Sequence, residues 1–259
     1  MKSNRREVET RQMNIVEMVR DKGKVHVEEL VGKFHISSMT ARRDLQYLDR
    51  QNLLRRVHGG AVALDGTETQ LSPAGMTARC REKIAIMAAG FVEDGDTLFI
   101  NGSRTALALL QYTGDKQISV FTNNGWALDE KYPENVSVTL SGGEIHSHLM
   151  IGEYVVKNLL SRSADKTFLG CAAVYDDGEF RYDVPTEIGI NEAMISRTKK
   201  QLYVLADHTK LQRRENRINS YGSCTYNRPV TLITDELADP EFTEQLRRCG
   251  IQVLQASVS

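Results

Sequence analysis

The sequence predicts an α/β protein in two parts, a small basic N-terminal unit and a larger acidic unit built on a mainly parallel sheet. The chain has 259 residues, more than one average domain. Residues 1–60 contain 13 Lys and Arg against 8 Asp and Glu, a net charge of +5, and the remainder contains 20 against 26, a net charge of −6. From residue 97 onward, short apolar runs alternate with helical stretches, which is typical of helices covering both faces of a parallel sheet. The total charge of −1 therefore combines two units of opposite charge, which suggests two different partners.

Composition excludes several classes of protein. Apolar residues make up 41% of the chain and charged residues 26%, so a sizeable core can form. No apolar run is long enough to cross a bilayer, and Met1 to Arg20 lacks the apolar stretch of a signal peptide, so we expect a cytoplasmic protein without a membrane partner. The cysteines are far apart without a CxxC pair, which indicates neither a disulfide framework nor a zinc site, and we expect no cofactor and no metal. They are Cys80, Cys171, Cys224 and Cys249.

The basic unit begins with three predicted helices and a short strand. Residues 5–20 have the spacing of an amphipathic helix, and Gly23 is a suitable C-terminal cap. Residues 24–27 alternate like a very short strand, and residues 28–34 have apolar side chains on one helical face. After a break at residues 35–37, Ser37 is a good N-cap for a third helix that ends near Asp49. Two helices joined by a three-residue turn are typical of a helix-turn-helix.

The third helix and the segment after it carry side chains suited to DNA. Hydroxyl groups at a helix start can donate to phosphates or base edges. Arg42 and Arg43 point about 100° apart on a helix, so one can face a guanine edge while the other binds phosphate. Gly59-Gly60 between two β-prone runs predicts a tight hairpin, a basic wing. A solvated face explains any single arginine better than DNA binding does, but not the whole set. The predicted DNA-binding residues are Ser37, Ser38, Met39, Thr40, Arg42, Arg43, Arg55, Arg56, His58 and Gly59.

The acidic unit alternates strands and helices. The predicted strands are Thr97–Ile100, Ile118–Thr122, Val136–Leu140, Lys166–Leu169, Leu202–Ala206, Val230–Thr234 and Gln252–Leu254. The predicted helices are Arg81–Phe91, Arg104–Tyr112, a short one near Trp126, Glu153–Leu160, Glu187–Arg197 and Pro240–Cys249. In such sheets, ligands collect beyond the carboxyl ends of the strands.

Small or polar residues follow five of these strands. Backbone N–H groups exposed at a helix start suit a phosphate, although Gly, Ser and Asn also occur in ordinary turns. Together the five segments predict a site for a small, polar, anionic ligand. They are Asn101-Gly102-Ser103-Arg104-Thr105, Thr122-Asn123-Asn124-Gly125, Ser141-Gly142-Gly143, Gly170-Cys171-Ala172-Ala173 and Asp207-His208-Thr209-Lys210.

Both units resemble the DeoR family of bacterial transcriptional regulators. In residues 5–62 the resemblance rests on Val27–Leu30, Phe34, Ser37–Leu45, Leu48 and His58–Ala61. In residues 80–254 it rests on Glu82–Ala85, Asp94–Asp96, Gly102-Ser103, Thr122-Asn123, Gly142-Gly143, Phe168–Gly170, Glu187 ahead of Met194-Ile195, and Asp207 with Lys210. The resemblance implies a winged helix-turn-helix that binds double-stranded operator DNA as an oligomer, usually as a repressor. It also implies an effector-sensing domain similar in fold to ribose-phosphate isomerases and CoA transferases.

By the same resemblance, the effector is a phosphorylated sugar or a related metabolite. Gly102, Ser103 and nearby amides would bind its phosphate, Asp207 and Lys210 would close the site, and Glu187 stands where related isomerases keep a carboxylate. Three positions depart from the family pattern. They are Asn52 in place of a glycine before the wing, Ile100 in place of an acid, and Arg104 in place of a threonine. The last two make the site more positive, so Arg104 either binds a sugar-acid carboxylate or points to solvent or to a nearby acid.

We therefore predict a winged helix-turn-helix over residues 1–62, a linker over 63–79 and an effector-sensing α/β domain over 80–259. The predicted function is repression of a carbohydrate operon by a homo-oligomer, a dimer or tetramer, under control of a sugar phosphate or sugar-acid phosphate.

Other interpretations are weaker. The alternative from another class is a sugar-phosphate isomerase or transferase with a DNA-binding appendage, in which Glu187 and Lys210 would act, but the missing acid at Ile100 argues against it. His146 and His148 have no identifiable third metal ligand and predict a polar loop. A basic run at Arg213, Arg214 and Arg217 predicts a solvated loop or a contact with ligand or a second subunit.

Overall fold

A computed structural model describes residues 5–22, 24–51, 53–57, 59–62, 73–182, 184–212, 221–223 and 228–258. The chain divides into two compact units, Met1–Met76 and Thr77–Ser259. Among the described residues, no helix is long and apolar enough to cross a membrane.

The first unit contains three helices and a three-stranded antiparallel sheet of order β1-β3-β2. The helices are α1 (Arg5–Lys22), α2 (Val27–Phe34) and α3 (Ser38–Arg50), and the strands are β1 (Lys24–His26), β2 (Arg55–Val57) and β3 (Gly60–Val62). Ile15, Leu30 and Leu45, one from each helix, are completely or almost completely buried in a shared core. The predicted helix-turn-helix and hairpin are both present, so this unit has the winged helix-turn-helix fold.

Gly60 is required for the wing to pack. It pairs with His26 of β1 and with Val57 of β2. A Cβ atom at this position would overlap the backbone carbonyl oxygen of Val25. A backbone atom cannot rotate away, so a larger residue would push β3 away from β1.

We expect Gly60→Ala to lower the free energy of unfolding of the first unit by about 1–3 kcal/mol, the usual cost of overpacking. Gly32→Ala is a matched control, because Gly32 lies inside α2 and its added Cβ would meet no atom within 4 Å. Alanine there should stabilise the helix by about 0.5–1 kcal/mol. Urea denaturation of the full chain, followed by far-ultraviolet circular dichroism, measures both, and equal midpoints for the two variants would contradict the packing argument.

The second unit is built on a seven-stranded sheet in which every neighbouring pair is parallel, in the order β16-β15-β12-β9-β4-β5-β6. Its strands are β4 (Thr97–Ile100), β5 (Ile118–Thr122), β6 (Val136–Leu140), β9 (Ala164–Gly170), β12 (Thr198–Leu205), β15 (Val230–Asp235) and β16 (Gln252–Ala256). The helices are α4 (Pro73–Ala89), α5 (Arg104–Ala108), α6 (Glu153–Leu160), α7 (Pro185–Ser196) and α8 (Pro240–Arg248), with short 3-10 helices at Leu109–Tyr112, Gly125–Leu128 and His208–Lys210. All seven predicted strands are therefore present, in a wholly parallel arrangement.

Two smaller sheets were not predicted. The strands β10 (Ala173–Tyr175), β11 (Phe180–Tyr182), β13 (Leu211–Gln212) and β14 (Tyr221–Ser223) form a four-stranded sheet, and β7 (Glu144–His146) and β8 (Leu149–Ile151) form a hairpin. Strands of two or three residues are too short to produce a hydrophobic period in the sequence.

Alternate side chains of the central strands enter two separate cores, one on each face of the sheet. Phe99 and Leu169 pack with α6, α7 and α8 on one face. Leu98 and Phe168 pack with α4 and α5 on the other. Because both faces are covered, the inner segments Leu98–Ile100, Phe168-Leu169 and Leu202–Leu205 of the central strands are apolar.

The order of the strands creates a crevice at one place. From β4 the chain adds β5 and β6 on one side, and then crosses to place β9 on the other side of β4. The direction of strand addition thus reverses between β4 and β9. In open parallel sheets, ligands bind outside the carboxyl ends of strands at such a reversal.

Helix α4 begins at Pro73, within the predicted linker 63–79 and well before the predicted start at Arg81. Proline suits the first helical turn, because its φ is already helical and its missing N–H would have no partner there. The turn-like composition of residues 72–75 therefore belongs in part to a helix start. Residues 63–72 lie outside the described residues.

Candidate functional site

Helix α3 has one buried face and one exposed basic face. Ala41, Leu45 and Leu48 are buried in the core of the first unit. Asp44 is also buried, and it accepts hydrogen bonds from Arg11 Nε at 2.7 Å and Gln12 Nε2 at 3.0 Å, both on α1. These contacts fix the rotation of α3 about its axis. Arg42 and Arg43 are therefore held on the solvent side.

The start of α3 is capped as predicted. Ser37 Oγ accepts a hydrogen bond from Thr40 N at 3.1 Å and lies 2.9 Å from Thr40 Oγ1. Ser37 thus uses its oxygen within the helix cap. Ser38 and Met39 are exposed, Met39 to 67%, so the first turn presents a hydroxyl and an apolar side chain to solvent.

The side chain of Asp49, near the end of α3, connects this helix to the wing. Asp49 Oδ1 accepts a hydrogen bond from Arg56 N at 2.9 Å. Arg55 and Arg56 are exposed on β2, and Gly59 has a φ of 77° in the turn that follows. His58 and Asn52 lie outside the described residues. The described part of the wing therefore adds two arginines to those of α3.

In the second unit, a cavity of about 300 Å³ lies beyond the ends of β4 and β9. We call it the sensor cavity. It is lined by Arg81, Asn101, Gly102, Ser103, Arg104, Thr105, Gly170, Cys171, Ala172, Tyr182, Glu187 and Lys210. Three of these side chains are cationic and one is a carboxylate. The cavity therefore favours an anion, although the unit as a whole is acidic.

Asn101 connects the elements that surround this cavity. Its side chain is buried, with 3% of the residue exposed. Its Nδ2 donates to Gly170 O at 3.0 Å and to Asn191 Oδ1 at 3.1 Å. Its Oδ1 accepts from Gly170 N at 2.9 Å and from Ser103 N at 3.2 Å. One carboxamide therefore joins the ends of β4 and β9 and α7.

Two glycines allow close contacts between the segments that surround Asn101. A Cβ at Gly170 would overlap the side chain of Ser103, whose Oγ caps α5 by accepting from Ala106 N at 3.1 Å. A Cβ at Gly102 would overlap Leu149 and lie 3.4 Å from Glu187 Oε1. The carboxylate of Glu187 therefore lies directly beside the bare backbone of residue 102.

Each cation of the sensor cavity is held by a different contact. Lys210 Nζ donates to Cys171 O at 2.6 Å. Arg81 Nε donates to Asp207 Oδ2 at 2.8 Å. The guanidinium of Arg104 lies 4.5 Å from the centre of the Trp126 ring. These contacts orient the cationic groups before any ligand binds.

Asp207 is buried behind Arg81. Burial alone would raise the pKa of its carboxyl group, but hydrogen bonds from Thr209 and Arg81, and the charge of Arg81, hold the pKa below its ordinary value. Asp207 therefore stays ionised. It contributes to the cavity by holding the guanidinium of Arg81 in place. Cys80, next to Arg81, is also buried, and burial together with the nearby charge of Asp235 raises the pKa of its thiol to about 11.

Five predicted effector-binding residues do not line the sensor cavity. They are Thr122, Asn123, Gly142, Gly143 and Asp207. Thr122 Oγ1 donates to Ile100 O at 2.6 Å and Asn123 Nδ2 donates to Met150 O at 3.2 Å, so Thr122 joins the ends of β5 and β4, and Asn123 joins the end of β5 to β8. The two glycines follow β6, an edge strand that β5 separates from β4. The prediction assumed that all five strand ends meet, whereas the cavity draws only on those near the reversal.

Conversely, Arg81 and Tyr182 line the cavity without having been predicted as effector ligands. Arg81 directly precedes the family-like segment that begins at Glu82. Tyr182 belongs to β11, which the sequence pattern does not reveal. The predicted basic run at Arg213, Arg214 and Arg217 lies outside the described residues.

His146 and His148 lie in the exposed β7–β8 hairpin. The ring of His148 stacks on Trp126 with the ring centres 3.5 Å apart. Among the described residues, the one group of three potential metal ligands lies elsewhere in the unit. The hairpin is thus a polar loop that supports Trp126.

The first unit is a winged helix-turn-helix whose third helix is basic, and the second is a parallel α/β unit with a small cationic cavity. Together they define a ligand-sensing transcriptional regulator. The family model "DeoR-like helix-turn-helix domain" matches residues 11–67, and the model "DeoR C terminal sensor domain" matches residues 77–236. The chain belongs to the DeoR family.

Relatives with curated names match over most of the chain. The HTH-type transcriptional repressor GlcR of Bacillus subtilis is 28% identical, covering 95% of each chain. The Glycerol-3-phosphate regulon repressor of Escherichia coli is 34% identical, covering 78% of this chain and 82% of its own. The Lactose phosphotransferase system repressor of Lactococcus lactis is 28% identical, covering 89% and 92%. The protein is accordingly a DNA-binding transcriptional regulator and not an enzyme.

Solved structures resemble the chain in fold only. The δ subunit of eIF2B from Chaetomium thermophilum is 16% identical, with a TM-score of 0.44, covering 75% of this chain and 63% of that one. Ribose 5-phosphate isomerase from Plasmodium falciparum is 15% identical, with a TM-score of 0.37, covering 52% and 54%.

Proposed function

We propose that the protein is a cytoplasmic repressor of carbohydrate-utilisation genes, and that a small phosphorylated sugar or sugar acid in the sensor cavity releases it from DNA. The observation that carries this proposal is the convergence of Arg81, Arg104 and Lys210 on one small cavity at the strand reversal. A volume of about 300 Å³ is at the lower end of ligand sites, which suits a small metabolite. The names of two relatives, which refer to glycerol 3-phosphate and to a lactose phosphotransferase system, support the same class of effector.

In this proposal the phosphate lies against the backbone of residues 102–105 and is neutralised by Lys210. Glu187, beside Gly102, accepts hydrogen bonds from sugar hydroxyl groups. Arg104 offers a planar fork of N–H donors, which suits a second anionic group such as the carboxylate of a sugar acid.

The DNA surface in this proposal consists of Ser38, Met39, Thr40, Arg42 and Arg43 on α3, and of Arg55 and Arg56 on the wing. All belong to residues 1–62, and the net charge of the first sixty residues favours contact with phosphates.

We further propose a homo-oligomer, because two copies of the DNA-binding helix α3 would match the two half-sites of an operator. Analytical ultracentrifugation of the full chain tests the last point, and a monomer at micromolar concentration would refute it.

We expect Arg104→Ala to weaken binding of phosphorylated sugar acids by about 10–100-fold, the value of one or two charge-assisted hydrogen bonds. Binding of the matching sugar phosphate, which lacks the carboxylate, should change less. A thermal-shift screen with both ligand classes, followed by isothermal titration of the hits, measures the difference.

Arg162→Ala is the matched control for Arg104→Ala. Arg162 is likewise an exposed arginine whose guanidinium lies 4.5 Å from an aromatic ring centre, that of Phe121, but it does not line the sensor cavity. Its loss should leave ligand affinity unchanged. Equal affinities for Arg104→Ala and wild type would remove Arg104 from the site.

A further inference from the structure

Three side chains with metal-binding atoms meet in the second unit, and none of them lines the sensor cavity. Cys80 comes from α4, His208 from the 3-10 helix after β12, and Asp235 from the end of β15. Their sulfur, nitrogen and oxygen atoms all lie within 4.8 Å of one another. His208 Nδ1 is 2.8 Å from Asp235 Oδ1 and 3.8 Å from Cys80 Sγ.

These distances are close to those of a tetrahedral zinc site. Zinc binds N, O and S ligands at about 2.0–2.3 Å, so neighbouring ligand atoms are separated by about 3.3–3.7 Å. The two measured separations lie on either side of this range. Small rotations of the side chains would therefore admit the ion.

The surroundings of the cluster also suit a cation. Asp235 is completely buried, and its carboxylate is oriented by His208 N at 2.8 Å and by Leu237 N at 3.1 Å, the kind of outer contacts that hold metal ligands in place. Cys80 is equally buried, whereas the side chain of His208 is 26% exposed and leaves a path from solvent. The two cations of the sensor cavity that are close in sequence to the cluster are engaged elsewhere, since Arg81 pairs with Asp207 and Lys210 donates to Cys171 O.

We propose that Cys80, His208 and Asp235 bind one divalent cation of the zinc type, with water in the fourth position. The Cys80 thiol releases its proton to solvent, and neutral His208 binds through Nδ1 while its proton moves to Nε2. The thiolate and the carboxylate then balance the two positive charges of the ion. This site is independent of the proposed effector, although Arg81 follows Cys80 directly and Lys210 shares the 3-10 helix of His208, so the bound ion would hold both cavity cations in place.

Cobalt(II) titration of the full-length, chelator-treated protein tests the proposal. We expect one equivalent of Co²⁺ to produce a thiolate-to-cobalt charge-transfer band together with the visible bands of tetrahedral coordination, and Zn²⁺ to displace it. Cys80→Ser should abolish the charge-transfer band and weaken Zn²⁺ binding, measured by chelator competition, at least about tenfold. Zn²⁺ should also raise the unfolding temperature of wild type but not of Cys80→Ser.

Cys249→Ser is the matched control, because Cys249 is an exposed thiol after α8, remote in sequence from the cluster. It should keep the full band. His208→Gln provides a second ligand variant if Cys80→Ser does not fold, and it should lose tetrahedral binding. No charge-transfer band in wild type, a band that survives both ligand substitutions, or a band lost only with Cys249 would each overturn the proposal.

Discussion

The double substitution Arg42→Ala, Arg43→Ala is expected to lower affinity for operator DNA by about 100-fold or more, because each arginine contact to a base edge or phosphate contributes about 1–3 kcal/mol. The fold should survive, since both side chains are exposed while the buried face of α3 is unchanged. A duplex selected from a random pool by the wild-type protein serves as the operator, and fluorescence anisotropy over a series of salt concentrations gives the affinities. The slope of log affinity against log salt should fall by about one for each lost phosphate contact.

Arg247→Ala, Arg248→Ala is the control for this experiment. It removes an adjacent pair of exposed arginines from α8, with the same change in net charge. We expect it to leave operator affinity almost unchanged. If both double variants lose affinity equally, general charge rather than α3 governs binding to DNA.

The second large effect is expected for Asn101→Asp. The new carboxylate would replace a donor that now faces two acceptors, Gly170 O and Asn191 Oδ1, in a buried position. One carboxylate oxygen would keep the donors Gly170 N and Ser103 N, but the other would face two acceptors, and a buried charge in that position costs about 3–5 kcal/mol of unfolding free energy. The pKa of such a carboxyl group is raised in the folded state, so the lost stability should return as the pH is lowered and the group becomes a neutral donor.

Asn135→Asp provides the comparison. Asn135 Nδ2 also donates to two carbonyl oxygens, those of Gly114 at 2.9 Å and Lys116 at 2.7 Å, but the residue is half-buried and solvent reaches it. Its replacement should cost only about 1 kcal/mol. Urea denaturation at neutral and mildly acidic pH separates the two variants, and similar losses at both positions would mean that burial of Asn101 is not the cause.

The main sheet follows from the sequence because each of its strands contains either an apolar run or an alternation of apolar and polar residues between turn residues. Strand order does not follow in the same way. Thr122 and Gly142 lie at or just after the carboxyl ends of strands, as Asn101 and Gly170 do, yet only the latter two lie at the reversal between β4 and β9. A local pattern identifies the end of a strand but not its neighbours in the sheet.

The type of a residue and its place in the sequence predict where its side chain lies better than they predict what the side chain does. Asn101 was expected to bind effector because it follows a strand and precedes a helix. The structure places it at the cavity, where its amide connects two strand ends instead of facing the open space. The cluster of Cys80, His208 and Asp235 could not be found from spacing, because its members are distant in sequence and meet only through the parallel sheet.

Trp126 is the single tryptophan of the chain, and its ring contacts both the guanidinium of Arg104 and the ring of His148. All tryptophan fluorescence of the protein therefore comes from one known position, beside the sensor cavity. The environment of this emitter includes a guanidinium from the cavity lining and an imidazole from the hairpin. Intrinsic fluorescence thus offers an unlabelled optical report on the second unit, and the first unit, which contains no tryptophan, adds no emission of this kind.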